Sequence, residues 1–323
     1  MRNLSRVAST LLALVPAAAM AEAPQYSSQT IKLPAQIRST AIAAGADRAV
    51  AVSSDKNLTV WDLANSRLLR TITLETAEVD YTALSPDGLW IFTAFHSGNA
   101  AVWDARSGKS VLQLKLPHYA STASFSPDGK LLAIAPGGDP AQVFEVASFR
   151  KLSQTLSVTG GVQAMAFSRD GALLATADSD TEVRVYEART GKLIAENRDF
   201  LLEPLALDFT ADGKQVIAAG GDRIIAFIDA KSGKLIRQLP KTDHPVFFSG
   251  LKVSPDGSLV ALVFMKAENM TQPAPVVIWN LSSGQKKSEW LPPTLAFGMD
   301  WTNDSRQVAF GSESDSLMIW RGH

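Results

Sequence analysis

Residues 79–116 read VDYTALSPDGLWIFTAFHSGNAAVWDARSGKSVLQLKL, and this stretch decides the fold. Four short apolar runs, at 79–85, 89–94, 100–104 and 110–116, are separated by three turns. The first turn is Ser85-Pro86-Asp87-Gly88. Proline presets φ for a turn position, aspartate bonds its own backbone, and glycine accepts positive φ. Residues 96–99 make the second turn and Arg106-Ser107-Gly108-Lys109 the third, so the unit reads as a four-stranded antiparallel meander.

The unit recurs along the chain. Clean copies of the first turn stand at Ser126-Pro127-Asp128-Gly129 and Ser254-Pro255-Asp256-Gly257. Worn copies are Ser168-Arg169-Asp170-Gly171, Thr210-Ala211-Asp212-Gly213, Thr302-Asn303-Asp304-Ser305 and Gly45-Ala46-Asp47-Arg48. The turn aspartates fall at 47, 87, 128, 170, 212, 256 and 304, with gaps of 40, 41, 42, 42, 44 and 48. A period of about 40–45 residues filled with short strands is that of a β-propeller blade. The expected fold is all-β: a seven-bladed propeller of four-stranded blades.

A second marker keeps the same beat: Trp61-Asp62, Trp103-Asp104, Phe144-Glu145, Tyr186-Glu187, Ile228-Asp229, Trp279-Asn280 and Trp320-Arg321. The two Trp-Asp pairs among them are the dipeptide that names the WD-repeat family, and the chain resembles that family from about Gln29 to Trp320. The resemblance implies the propeller fold and says little of the role; a rigid ring with exposed loops on two faces favours protein partners. The chain departs from the family in lacking its Gly-His pair between blades.

The two ends are expected to complete each other. The chain stops soon after a third strand, so the seventh blade lacks its outer one. Residues 29–34 (QTIKLP) read like the outer strand at 233–240 (GKLIRQLP) and would close the ring, removing an open edge.

Residues 1–21 have the pattern of a cleaved secretory signal peptide. Arg2 and Arg6 precede an apolar run at 7–15, and Ala17-Ala18-Ala19-Met20-Ala21 supplies small residues for cleavage. The expected mature chain is a single propeller, residues 22–323, in the bacterial periplasm or beyond it. There is no cysteine, so stability must come from packing. Lysine and arginine total 31 against 32 acids; removing two arginines with residues 1–21 moves the formal net charge from −1 to −3. That balance, with no basic cluster, disfavours nucleic acid as a partner. No later stretch has the length and apolarity of a membrane helix, and the expected state is a monomer.

Two places attract attention as sites. The sixth repeat is long: 23 residues separate Asp256 from Trp279, against 16 between Asp87 and Trp103. The additions fall at 265–275 and 242–248, on one end of the ring. Phe247, Phe248 and Met270 are candidate partner anchors, with His244, Lys266 and Glu268 as a polar rim. The second place is four residues before the turn aspartate. Small residues Ala43, Ala83, Ser124 and Ala166 give way there to Asp208, Lys252 and Asp300 on three adjacent blades. Those charges would form an inter-blade ion network or a polar patch on the channel wall. His96, His118 and Asp80 are a weak metal candidate.

No phosphate loop, nucleophile elbow or HExxH motif occurs, and no cofactor is expected. The expected function is therefore a non-catalytic protein-binding or scaffolding propeller. The alternative is a propeller enzyme of lactonase or quinoprotein type, working at the channel mouth. An acid ring drawn from several blades would favour that alternative.

Overall fold

The computed structural model describes residues 27–155, 161–221, 224–239, 246–266, 273–312 and 315–321. Seven four-stranded antiparallel sheets stand as the blades of a propeller. Blade 2 holds Val79–Leu84, Trp90–Phe95, Asn99–Asp104 and Ser110–Lys115 in chain order from the axis outward. Blades 1 to 6 each follow that order, and the inner strands of neighbouring blades pack on one another around the ring.

The turn after each inner strand holds the period. In blade 2, Ser85 Oγ donates to Asp87 Oδ1 at 2.5 Å and accepts the Trp90 amide at 2.9 Å, while Asp87 accepts the Leu89 amide at 3.0 Å. Gly88 sits at φ +70°, and a Cβ there would lie 2.7 Å from Arg48 Cγ. The same hydroxyl–carboxylate contact spans 2.6–2.7 Å at Ser126–Asp128, Ser168–Asp170, Thr210–Asp212, Ser254–Asp256 and Thr302–Asp304. This explains why Ser or Thr survives where Pro and Gly are lost.

Blade 1 departs. Its strands pair Ala43 with Arg48 across four residues, as Ser85 meets Trp90 in blade 2, one rung beyond Leu84 and Ile91. Gly45 therefore takes the place of Asp87. Asp47 lies two residues further on, in the left-handed region at φ 52°, capping a short 3-10 turn. The residue matching Ala83 is then Ala41 rather than Ala43.

Alternation along the inner strands decides what is buried. Leu84, Phe125, Phe167, Phe209, Val253 and Trp301 are buried between blades, as are Ala123, Met165, Leu207, Leu251 and Met299. Positions between them line the central channel.

The ring closes as expected, with the strand two residues earlier than the sequence suggested. Ser27–Lys32 pairs antiparallel with Ser316–Arg321, from Ser27 opposite Arg321 to Lys32 opposite Ser316. Ile31 and Leu33 are buried beneath it. The seventh sheet is thus built from both ends of the chain.

Candidate functional site

The ring has two unlike ends. One carries the Ser-Pro-Asp-Gly turns. The other carries the turns between second and third strands and the links from blade to blade. Between them runs a channel of about 660 Å³, lined by inner-strand residues from all seven blades.

Asp208, Lys252 and Asp300 line that channel, half-buried, on blades 5, 6 and 7. Inner strands have one free edge, and its amides need acceptors. Asp208 supplies two: its Oδ2 accepts the Val253 amide of blade 6 at 2.9 Å, and its Oδ1 accepts its neighbour Phe209 at 2.9 Å. Asp300 accepts the Ala44 amide of blade 1 at 3.1 Å. Trp301 Nε1 donates back to the Lys252 carbonyl at 2.9 Å. The carboxylates therefore join blades through backbone amides. The expected direct ion network is corrected accordingly: among the described residues, Lys252 Nζ makes no hydrogen bond or ion pair.

The three charges still sense one another. Burial pushes the Asp300 carboxyl up to about 6, against the pull of Lys252 and of the amides it accepts. Burial works against the Lys252 ammonium, but Asp208, Asp300 and Tyr81 outweigh it and raise its pKa. Tyr81 belongs to blade 2 and lines the same channel. Arg169 spans the turn end, from blade 4 to the Pro255 carbonyl of blade 6. Arg38 and Asp80 stand exposed at the other mouth.

The link end holds the sixth-repeat elaboration. Val246–Val253 and Leu259–Lys266 are each 8 residues long, against 6 for the matching strands of blade 2. The extra rungs pair Val246 with Lys266 and Phe247 with Met265. Phe248 is not a surface anchor: it is 1% exposed and its ring lies 4.9 Å from that of Phe264. A bulge between Phe248 and Gly250 turns it inward. His244, Glu268 and Met270 lie outside the described residues. The same end exposes Leu201 (80%), Leu291 (60%), Leu202 (50%) and Tyr119 (49%), all on blade-to-blade links and all missed in the sequence.

The histidines do not converge. His96 Nδ1 faces Asp80 at 3.3 Å, whereas His118 Nε2 faces Asp139 at 3.6 Å. Among the described residues, no three His, Asp or Glu side chains are grouped to hold a metal. Among the described residues, the channel wall carries acids from blades 2, 5 and 7: Asp80, Asp208 and Asp300. Sequence reasoning also missed a buried cluster in blade 4, where Arg184 meets Asp178, Glu182 and Glu196. Burial raises the Asp178 pKa despite Arg184. This cluster ties the second-to-third-strand turn to the outer strand.

Comparison with known proteins agrees with the architecture. Residues 150–187 match the family model described as WD domain, G-beta repeat. The chain is 24% identical over 140 residues to Protein LST8 homolog of Drosophila melanogaster, covering 41% of this chain and 45% of that one. It is 33% identical over 88 residues to Small ribosomal subunit protein RACK1 of Caenorhabditis elegans, covering 27% of each. A third relative is Protein groucho of Drosophila melanogaster, 28% identical over 94 residues, with 29% of this chain and 13% of that one covered. The chain thus spans less than half the length of these relatives. Among solved structures, the β-propeller domain of Cps50 (Swd1) from Myceliophteria thermophila superposes with a TM-score of 0.77 at 16% identity, covering 92% of this chain and all of that one. The molecule is a seven-bladed propeller of the kind that WD repeats build.

Proposed function

We propose that this protein is an exported, non-catalytic propeller that binds a protein partner through its link end. The observation that carries the reading is the elongated hairpin of blade 6, from Val246–Val253 to Leu259–Lys266, on the end where Leu201, Leu202, Leu291 and Tyr119 are exposed. Regular blades do not need those extra rungs, and exposed leucines on links cost solubility unless something covers them. WD-repeat relatives of this chain support a binding role in kind, though not a particular partner. The export reading rests on the basic, apolar and small-residue pattern of residues 1–21. No helix among the described residues is long and apolar enough to cross a membrane.

The test is capture from a periplasmic extract, comparing the wild-type ring with a chain whose residues 267–272 are replaced by a turn like Ser97-Gly98-Asn99. A partner retained by the first and lost by the second, with unchanged thermal unfolding, supports the reading. Equal capture by both, and by a Leu201→Asp, Leu202→Asp chain, overturns it. Intact mass of the exported protein checks the leader, expected to end at Ala21.

A further inference from the structure

We propose that the central channel is a binding site for a small zwitterion, a free amino acid or short peptide, with its carboxylate on Lys252 and its ammonium between Asp208 and Asp300. The inference concerns the interior of the ring and is independent of the link-end partner. Three observations combine. First, the cavity of about 660 Å³ has the size of a small-molecule site. Second, Lys252 brings three N–H donors into it and spends none on a described residue. An ammonium that faces a cavity with its donors unspent is available to an anionic ligand group, which it would bind by charge-assisted hydrogen bonds. Third, the flanking carboxylates each accept backbone amides yet keep lone pairs free, since an ionised carboxylate has about four acceptor sites.

The arrangement also selects by charge. One cation lies between two acids, so a simple anion reaching Lys252 meets net repulsion. A simple cation meets Lys252. A molecule carrying both signs a few bonds apart meets neither penalty, and a neutral polyol gains less from charged partners. Arg169 crosses the turn end of the channel. The raised Lys252 pKa keeps the ammonium charged at neutral pH, so its donors are available there.

The experiment is titration calorimetry with the full exported chain and four sets of probes: free L-amino acids, alanine di- and tripeptides, acetate with methylammonium, and glucose. Two variants act from opposite walls. Lys252→Met removes the carboxylate partner. Ser124→Phe, on blade 3, fills the channel and leaves all three charges in place. The expected result is saturable binding of at least one amino acid or peptide, weakened about tenfold or more by each variant that retains the native circular dichroism. Either variant suffices if the other fails to fold. Lys286→Ala, on the outer strand of blade 6, should bind as wild type. Failure of every amino acid and peptide to bind overturns the proposal. So does binding that both folded variants leave unchanged, or binding of acetate or glucose as tight as that of the amino acids.

Discussion

The Asp208 carboxylate of blade 5 holds the Val253 amide of blade 6 at 2.9 Å, and Asp300 of blade 7 does the same for Ala44 of blade 1 at 3.1 Å. Asp208 thus acts as a clasp on the free edge of the next inner strand, and Asp300 on the 3-10 turn that ends the inner strand of blade 1. Asp208→Ala should cost about 2–3 kcal/mol in urea unfolding, because it orphans the Val253 amide and removes a charged acceptor. Asp208→Asn keeps an acceptor oxygen and should cost less than half of that. Equal losses from the two would mean that charge, not the amide contact, matters at this seam.

Asp300 sets a pH dependence with a definite sign. Its folded pKa, about 6, lies above the ordinary carboxylate value of 3.8. Its contribution to stability is therefore fully present below 3.8 and is lost as pH rises through about 6. Asp300→Asn should flatten that loss, a difference of about 1–3 kcal/mol between pH 4 and pH 7. Lys252 and Asp208 face this carboxyl and remain in the variant, and Asp178, also raised, is common to both chains. The turn aspartates behave oppositely. Asp128, Asp170, Asp212, Asp256 and Asp304 are lowered, so their contribution is present above 3.8 and disappears only in stronger acid. Parallel stability curves for the two chains from pH 4 to 7 would refute the assignment.

Ser126 is fully buried, donates to Asp128 at 2.7 Å and accepts the Leu131 amide at 2.9 Å. Ser126→Ala should cost about 2 kcal/mol, measured by thermal or urea unfolding, since both partners lose their contact. The exposed Pro127 beside it should tolerate alanine with a loss below about 1 kcal/mol.

Trp103 Nε1 donates to Thr93 Oγ1 at 2.9 Å inside blade 2. Thr93→Val keeps the shape and removes the acceptor, so about 1–3 kcal/mol should be lost. Blade 1 supplies the contrast. Ala51 occupies the place of Thr93, and the buried Trp61 Nε1 has no acceptor among the described residues. Trp61→Phe should therefore be cheaper than Trp103→Phe in the same unfolding assay.

The blades were legible because their turns are local chemistry. A Ser or Thr, an Asp two residues on, and a glycine carry their own hydrogen bonds wherever they occur. The register of the first turn was not legible: Asp47 imitates a turn aspartate, but no hydroxyl stands two residues before it, and the strands pair two residues off. The channel charges could be read as sharing one position on adjacent blades. Their bonds to neighbouring amides could not, because those amides become neighbours only when the ring closes. Phe248 was misjudged for a similar reason. A bulge reverses the alternation there, and bulges leave little trace in a pattern of apolar residues. The exposed leucines at 201, 202 and 291 were overlooked because single apolar residues in links are unremarkable until their common end is seen.

The pairing of Ser27–Lys32 with Ser316–Arg321 has a kinetic meaning. The first strand of the ring waits for the last, so no partial chain can complete the seventh blade. Contacts of this sequence separation form slowly and late. A chain delivered one end first could complete blades 1 to 6 in turn, each from contiguous strands, but would hold them as an open arc. It would lock only when its final strand arrives, so the sequence carries a built-in delay between synthesis and the finished ring.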